Sequence, residues 1–366
     1  MRTRAWCVLG LLALAFSSHA AELPADLVED AQVVLTHDGL KLDAVLTRPR
    51  LGFPRAGVVL LHGSGATDMD QTVAGDLTAT GLPAKPLRQL AWRLAREGFA
   101  VLRYNKRGVE LDPRANAPQV LEAASLGDLV ADARAAISTL RECGAAPRDR
   151  IVLVGHSEGS VIGSLIALDD RGIAGLACLA PLAHNLRDIL HYQLVTRVEE
   201  WAWQLVDTDH DGRLTQSEIA RAPRYHIPLE RLDRSQDGVI DHAELHAGLE
   251  DAWERFAAAQ DAASPWMHEH FGLESNLTRF PRLTVPVQLF CGAVDAQTPL
   301  SEARALAEVL GARATLDVFP GLGHGFAPPL ALDRPTVGPI ADDALDAIAR
   351  RLAQAYPAPA LASESE

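Results

Sequence analysis

Cysteine is scarce in this chain: Cys7, Cys143, Cys178 and Cys291 are the whole set in 366 residues. Cys7 lies in an N-terminal apolar run that reads as a removable segment, so an odd number without regular spacing remains, and this excludes a disulfide framework. Cys178 (LACLAP) and Cys291 (VQLFCG) sit in apolar runs where free thiols pack as small hydrophobes, and no redox or metal role follows. Basic charge is also short. The 34 Lys and Arg against 48 Asp and Glu leave a formal net charge of −14, which argues against nucleic acid or anionic lipid as a partner. Nothing is collagen-like, repetitive or disordered overall. Only the tail, roughly Tyr356–Glu366 (YPAPALASESE), has the composition of a solvated, unpacked end.

A long hydrophobic run is missing too. Ala5–Phe16 is too short to span a bilayer comfortably. With Arg2 and Arg4 before it and Ser18-His19-Ala20 after it, the run reads as a signal peptide over residues 1–20, cleaved after Ala20. The expectation is an exported protein, periplasmic or secreted, with no stable membrane insertion after cleavage. Cys7 falls too early, inside the apolar run, to be a lipid-attachment cysteine.

What is present is a 48% hydrophobic chain able to bury one large core or two modest ones. Strand-length apolar runs recur at 32–35, 40–46, 58–62, 99–104, 151–155, 175–180, 287–291 and 315–319. The middle ones are near-continuous rather than alternating, as parallel strands covered on both faces require. Helical spacing lies between them, with Leu87, Leu90, Leu94 and Ala95 on one face and Ser125-x-x-Asp128 opening a helix to about Cys143. Strands alternating with helices predict an α/β fold with a mostly parallel sheet. The alternation breaks between Ala180 and Val285, where helical patterns but no convincing strands occur. An insertion at that point is expected to cover the C-terminal edge of the sheet as a lid.

The run Ile151–Val154 drives straight into Gly155-His156-Ser157-Glu158-Gly159. G-x-S-x-G after a strand and before a helix is a nucleophile elbow, a strained turn that lifts the serine hydroxyl above the sheet. A serine needs a base and a group to orient that base. In the order serine, acid, histidine, Asp295 ends the strand Val287–Cys291 (GAVD), and His324 (GLGHG) follows the strand Thr315–Phe319. Asp317 is the nearest rival acid, but it lies mid-strand and too close along the chain to stand behind His324. The loop Leu61-His62-Gly63-Ser64-Gly65 follows the strand at 58–62 and is placed to give one oxyanion amide, the other coming from Glu158.

These stretches, with R-Y-N-K-R-G at 103–108, resemble the α/β-hydrolase superfamily over residues 55–181 and 283–356. Within it the chain is similar to bacterial carboxylesterases related to the dienelactone-hydrolase and prolyl-oligopeptidase branches. The resemblance implies a Ser157–Asp295–His324 triad and oxyanion amides at Ser64 and Glu158. It also implies an eight-stranded, mostly parallel sheet with helices on both faces and a small-molecule ester or acyl substrate. Relatives often carry a glycine where Ser160 stands. Asp68 and Asp70 (GATDMDQT) suit either loop capping or substrate contact.

Inside the insertion, residues 207–218 (DTDHDGRLTQSE) match the EF-hand calcium loop. Asp207, Asp209 and Asp211 fill the first ligand positions, Gly212 makes the turn, Arg213 offers its carbonyl and Glu218 closes the site. Residues 233–244 (DRSQDGVIDHAE) repeat it with Asp233, Ser235, Asp237, Val239 and Glu244, and Ile240 matches Leu214 as a pairing residue. Two Ca²⁺ sites are expected, structural rather than switching, with helical flanks over Val195–Val206 and Leu245–Ala257. Trp201 and Trp203 read as lid core. His268-Glu269-His270 lacks the further ligands of a zinc site.

The expected organisation is a signal peptide (1–20), the first part of the hydrolase core (21–183), a helical lid with the EF-hand pair (184–282), the second part of the core (283–356) and a disordered tail (357–366). The expected activity is that of a serine carboxylesterase. A peptidase or acyltransferase of the same fold, or a calcium-dependent binding module on an inactive scaffold, are the alternatives.

Overall fold

The computed structural model describes residues 22–78, 81–223, 227–331 and 338–358. The expected export segment and all but the first two residues of the expected tail lie outside the described residues. Eight strands form the main sheet: β1 (Leu27–Leu35), β2 (Lys41–Pro49), β3 (Ala56–Leu61), β4 (Phe99–Tyr104), β5 (Ile151–His156), β6 (Ile173–Leu179), β9 (Val287–Gly292) and β10 (Ala314–Phe319). Their order is β1-β2-β4-β3-β5-β6-β9-β10. Only β1–β2 and β2–β4 pair antiparallel, and every other neighbour is parallel.

The side-chain period of two sorts each central strand between two cores. Val59, Leu61, Ile151 and Leu153 face the helices Leu126–Glu142, Glu158–Asp169 and Leu300–Leu310. Val58, Leu60, Val152 and Val154 face the helices Pro86–Arg96 and Asp342–Ala355. Every residue of β3, β4 and β5 is buried, which explains why their sequences are apolar apart from the buried Arg103 and His156. The helix at 126–142 begins in a capping box in which Ser125 and Asp128 satisfy each other's backbone amides. Tyr356, which composition places at the start of the tail, is buried in the second core, and its hydroxyl reaches Gln288. Beyond it, the carbonyl of Pro357 accepts from Arg150. The aromatic ring outweighs the polar composition around it.

Between β6 and β9 the chain forms a helical insert. A helical run from Leu186 to Val206 includes two π-helical stretches, Tyr192–Thr196 and Ala202–Val206. The helices His242–Ala263 and Pro265–Gly272 return it toward the sheet. Two three-residue strands lie in this segment, where the sequence patterns give none: β7 (Arg213–Thr215) and β8 (Val239–Asp241). They pair antiparallel with Leu214 opposite Ile240, and both side chains are buried with Ala202, Val206 and Leu245. Strands this short exist only as a pair, which single-segment periodicity cannot reveal.

Candidate active site

β5 delivers Ser157 to the C-terminal edge of the sheet with φ 53° and ψ −116°, a left-handed conformation that is uncommon for a side chain with a Cβ. Such a residue costs on the order of 1–3 kcal/mol and persists where its surroundings over-determine it. Here the Ser157 amide donates to the carbonyl of Leu179 at 2.8 Å, and its own carbonyl accepts from the Ser160 amide at 2.9 Å and the Ser160 hydroxyl at 2.6 Å. Ser160, in the place of the usual glycine, therefore bonds the elbow. The two motif glycines are required by contact. A Cβ on Gly155 would stand 2.2 Å from the carbonyl oxygen of Gly159, and one on Gly159 2.4 Å from that of Leu61.

Asp295 and His324 come together at the same edge. Nδ1 of His324 lies 2.9 Å from Oδ2 of Asp295, and both residues are buried. The other Asp295 oxygen accepts from the amides of Gln297 and Thr298, and the Thr298 hydroxyl donates to Oδ2. Burial works against the charge, but His324 and these donors hold the Asp295 carboxyl below its ordinary value. An ionised acid that only accepts directs the Nδ1 proton of His324 toward itself and leaves Nε2 as the basic nitrogen. His324 is fixed beside the elbow by the residue before the nucleophile: Nε2 of His156 donates to its carbonyl at 3.0 Å, and the two rings are 4.8 Å apart. Burial, then the neighbouring His324, pushes His156 down to about 4, so it stays neutral. Asp317, the rival acid, is paired with Arg351 instead.

The loop after β3 closes the site from the other side. A Cβ at Gly63 would be 3.4 Å from Cβ of Ser157, so this backbone passes directly over the nucleophile. The amide of Ser64 donates to no backbone group among the described residues. Glu158 heads its helix, so its amide has no intrahelical acceptor. An apolar cavity of about 190 Å³ adjoins this loop, lined by Gly65, Lys106, Leu121, Ala124, Leu129 and Trp266. Asp68 and Asp70 take structural parts. Asp68 caps the amides of Asp70 and Thr72, while Asp70 bonds Arg103 and Lys85.

A family model described as serine aminopeptidase, S33, matches residues 84–327, more than half of the chain and a span that includes Ser157, Asp295 and His324. The chain belongs to the serine aminopeptidase S33 family. Esterase EstD of Thermotoga maritima is 31% identical over 156 residues, which is 42% of this chain and 33% of that protein. The match thus spans about a third of that curated relative. Two solved structures share the fold of this S33 chain at low identity. One is a putative dienelactone hydrolase from Klebsiella pneumoniae (TM-score 0.51, 13% identical, 90% of this chain and 98% of that one). The other is an esterase from Pyrococcus furiosus (TM-score 0.50, 14% identical, 90% and 91%).

The insert of this S33 member holds the two acidic loops. Ligand atoms of Asp207, Asp209 and Asp211 all lie within 4.8 Å of one another. Asp207 is 3% exposed, and its Oδ1 has no hydrogen-bond partner. Both oxygens of Glu218 accept from Thr208 and Thr215. In the second loop Asp233 accepts from Asp237 and Gly238, and Glu244 from Arg234, Ser235 and Asp241. Ser235 there bonds Asp233, and this loop gathers no equally close acidic trio among the described residues. Arg213 and Val239, whose carbonyls the loop pattern assigns as ligands, are the first residues of β7 and β8.

The sequence patterns miss a second layer. Lys106, Trp266 and His270 all bond the carboxylate of Glu158, a residue noted only for its amide. His268-Glu269-His270 does not act as a unit: His268 faces Asp261, and Glu269 accepts from the amide of Gly127. Lys106 carried one legible signal, a lysine two residues past the end of a buried strand at the functional edge. Trp203 stacks on His242 with ring centroids 3.9 Å apart, and Trp201 lies under Arg197.

Proposed function

We propose that this hydrolase is a serine carboxylesterase that works through an acyl-enzyme. The carrying observation is the strained Ser157 at the head of a helix, next in sequence to His156, which bonds the backbone of a buried His324 whose Nδ1 is already committed to Asp295. In the proposed cycle Oγ of Ser157 bonds the substrate carbonyl carbon while its proton passes to Nε2 of His324. The oxyanion takes hydrogen bonds from the amides of Ser64 and Glu158. Collapse breaks the C–O bond, and the His324 proton leaves with the alcohol. Water, deprotonated by His324, then releases the acid and restores Ser157. The relative EstD, named an esterase, supports ester over peptide substrates. A fluorophosphonate probe should label the wild type and not Ser157→Ala; a folded wild type that resists labelling would refute the reading. p-Nitrophenyl esters compared with aminoacyl anilides separate esterase from peptidase.

The insert is proposed to be a calcium-stiffened lid over this site. What supports calcium is the chemistry of the donors: all are hard oxygens at EF-hand spacing, and Asp207, with one buried oxygen that has no partner among the described residues, stands close to two further carboxylates. Asp207, Asp209, Asp211, Glu218 and the Arg213 carbonyl would hold one ion. Asp233, Ser235, Asp237, Glu244 and the Val239 carbonyl would hold the other. The ions supply charge neutralisation and loop closure, not a chemical step. Export through a signal over residues 1–20 completes the proposal, and the N-terminal sequence of the secreted protein tests it.

A further inference from the structure

We propose that Lys106 is the positioning residue of the oxyanion hole, orienting the Ser64 amide and neutralising the carboxylate that sits beside the Glu158 amide. The inference rests on the hydrolase reading above and concerns a lysine that the triad does not use.

Lys106 stands just beyond β4 and is 5% exposed. Its ammonium has two partners. Nζ donates to the carbonyl oxygen of Gly63 at 2.6 Å and to Oε2 of Glu158 at 3.0 Å. The first bond falls on the peptide that joins Gly63 to Ser64. No cis peptide occurs among the described residues, and in a planar trans unit the N–H points opposite to the C=O. Holding the Gly63 oxygen on the Lys106 side therefore turns the Ser64 N–H to the other side. A cation on the carbonyl also polarises the amide and makes its N–H a better donor. Without that bond this peptide can rotate more easily, because Gly63, whose ψ flanks it, resists little.

The second bond removes a conflict. The amide of Glu158 is to face a developing negative charge, yet the same residue carries a buried carboxylate. Oε2 takes the Lys106 ammonium, and Oε1 takes Nε1 of Trp266 and Nε2 of His270 from the insert. Burial opposes ionisation, but Lys106, then His270 and Trp266, hold this carboxyl well below its ordinary value. The charge is thus matched locally rather than left to repel the oxyanion. His62, next to Gly63, is pushed down to about 3 by burial and then by Lys106, so no second cation competes there.

Lys106→Met alone would strand the Glu158 charge, so the decisive comparison is Lys106→Met/Glu158→Gln, which removes the pair without leaving a buried ion, against Glu158→Gln, in which Lys106 keeps its bond to the Gly63 carbonyl. p-Nitrophenyl acetate hydrolysis gives kcat and KM. A trifluoromethyl ketone, which forms an oxyanion on Ser157, is compared as an inhibitor with the matching methyl alcohol, which does not. The expected result is a kcat loss on the order of 10- to 100-fold, smaller than deleting a donor outright. Ketone affinity should fall by the same factor, with KM and alcohol binding within about twofold of the reference. Lys106→Arg in the wild-type background should recover part of the loss. A folded double variant with kcat within about twofold of Glu158→Gln would overturn the proposal. So would equal losses in KM, alcohol and ketone binding, the mark of a merely structural lysine. If the double variant does not fold, the Lys106→Arg enzyme decides: ketone affinity tracking kcat supports the role, and ketone affinity unmoved by a kcat change overturns it. A wild type with neither ester turnover nor fluorophosphonate labelling would refute the hydrolase reading and this inference together, whereas an active wild type beside an unimpaired double variant refutes the inference alone.

Discussion

The rim of the sheet and the paired loops of the insert are both rich in buried carboxylates, but they use them in opposite ways. At the rim each charge has a counterpart on another segment of the chain: Asp295 with His324, Glu158 with Lys106, Asp70 with Arg103. In the loops Asp207, Asp233, Glu218 and Glu244 fold back onto backbone amides of their own loop, and one buried oxygen of Asp207 has no hydrogen-bond partner among the described residues. The rim pairs its charges within the protein, whereas the first loop is the one proposed to be completed by a cation. Buried ions left unmatched are costly, so the two regions should respond differently to substitution, acid and chelation.

The largest effect belongs to the rim. Ser157→Ala should lower kcat by at least about 10⁴-fold while leaving the melting temperature unchanged or slightly higher, since the hydroxyl contributes to chemistry and not to packing. A steady-state assay with a thermal melt checks both halves. A variant that retains appreciable turnover would break the comparison at its root, because the rim would then hold order without function.

Acid comes next, and its sign follows from burial. His156 and His62 are depressed to about 4 and about 3 from an ordinary 6.5. The unfolded chain therefore binds these protons first, and stability falls as pH drops below 6.5 toward the folded values. Glu158 is also depressed, from 4.5, so its contribution is present above that pH and is lost below it. Denaturant midpoints should decline from about pH 6.5 and more steeply below 4.5, by roughly 3 kcal/mol for His156 over its window. His156→Gln should flatten the upper limb and Glu158→Gln the lower one. Unchanged profiles would show that these groups are not held as the rim's pairing requires.

Chelation tests the other region. If the loops bind Ca²⁺, saturation to a hundred times Kd stabilises the chain by about 2.7 kcal/mol, and EDTA removes it. Asp207→Asn should lose most of that response, yet fluorophosphonate labelling of Ser157 should persist in EDTA, because the rim's partners are all protein groups. An EDTA-insensitive melt would remove calcium. Labelling that vanishes with the metal would show that the two regions are not independently completed.

Legibility in the sequence follows the same division. The central strands were readable because burial on both faces forces near-continuous apolar runs, and the candidate triad because Ser157, Asp295 and His324 each follow a strand-length run. Tyr356 was not, since its ring packs against a distant strand while its neighbours are polar. β7 and β8 carry no period of their own in three residues, and only the loop pattern, which paired Leu214 with Ile240, pointed to them. Lys106, Trp266 and His270 were invisible as a group: they come from segments about 160 residues apart and meet on Glu158 only after the insert docks. Motif spacing records local geometry, and this layer is purely tertiary.

The smallest expected effect sharpens how firmly the rim is built. Ser160 is fully buried, and its hydroxyl donates to the Ser157 carbonyl at 2.6 Å, an oxygen that already accepts the Ser160 amide. Ser160→Ala removes one of two donors without stranding the acceptor, so the cost should stay near 1 kcal/mol. The elbow has other anchors, including the Ser157 amide on Leu179, and kcat should change by less than about threefold. A much larger kcat loss at that small stability cost would mean that the hydroxyl itself holds φ of Ser157 in the left-handed region. In that case the strain at the nucleophile would be maintained by a single side chain rather than by the whole sheet edge.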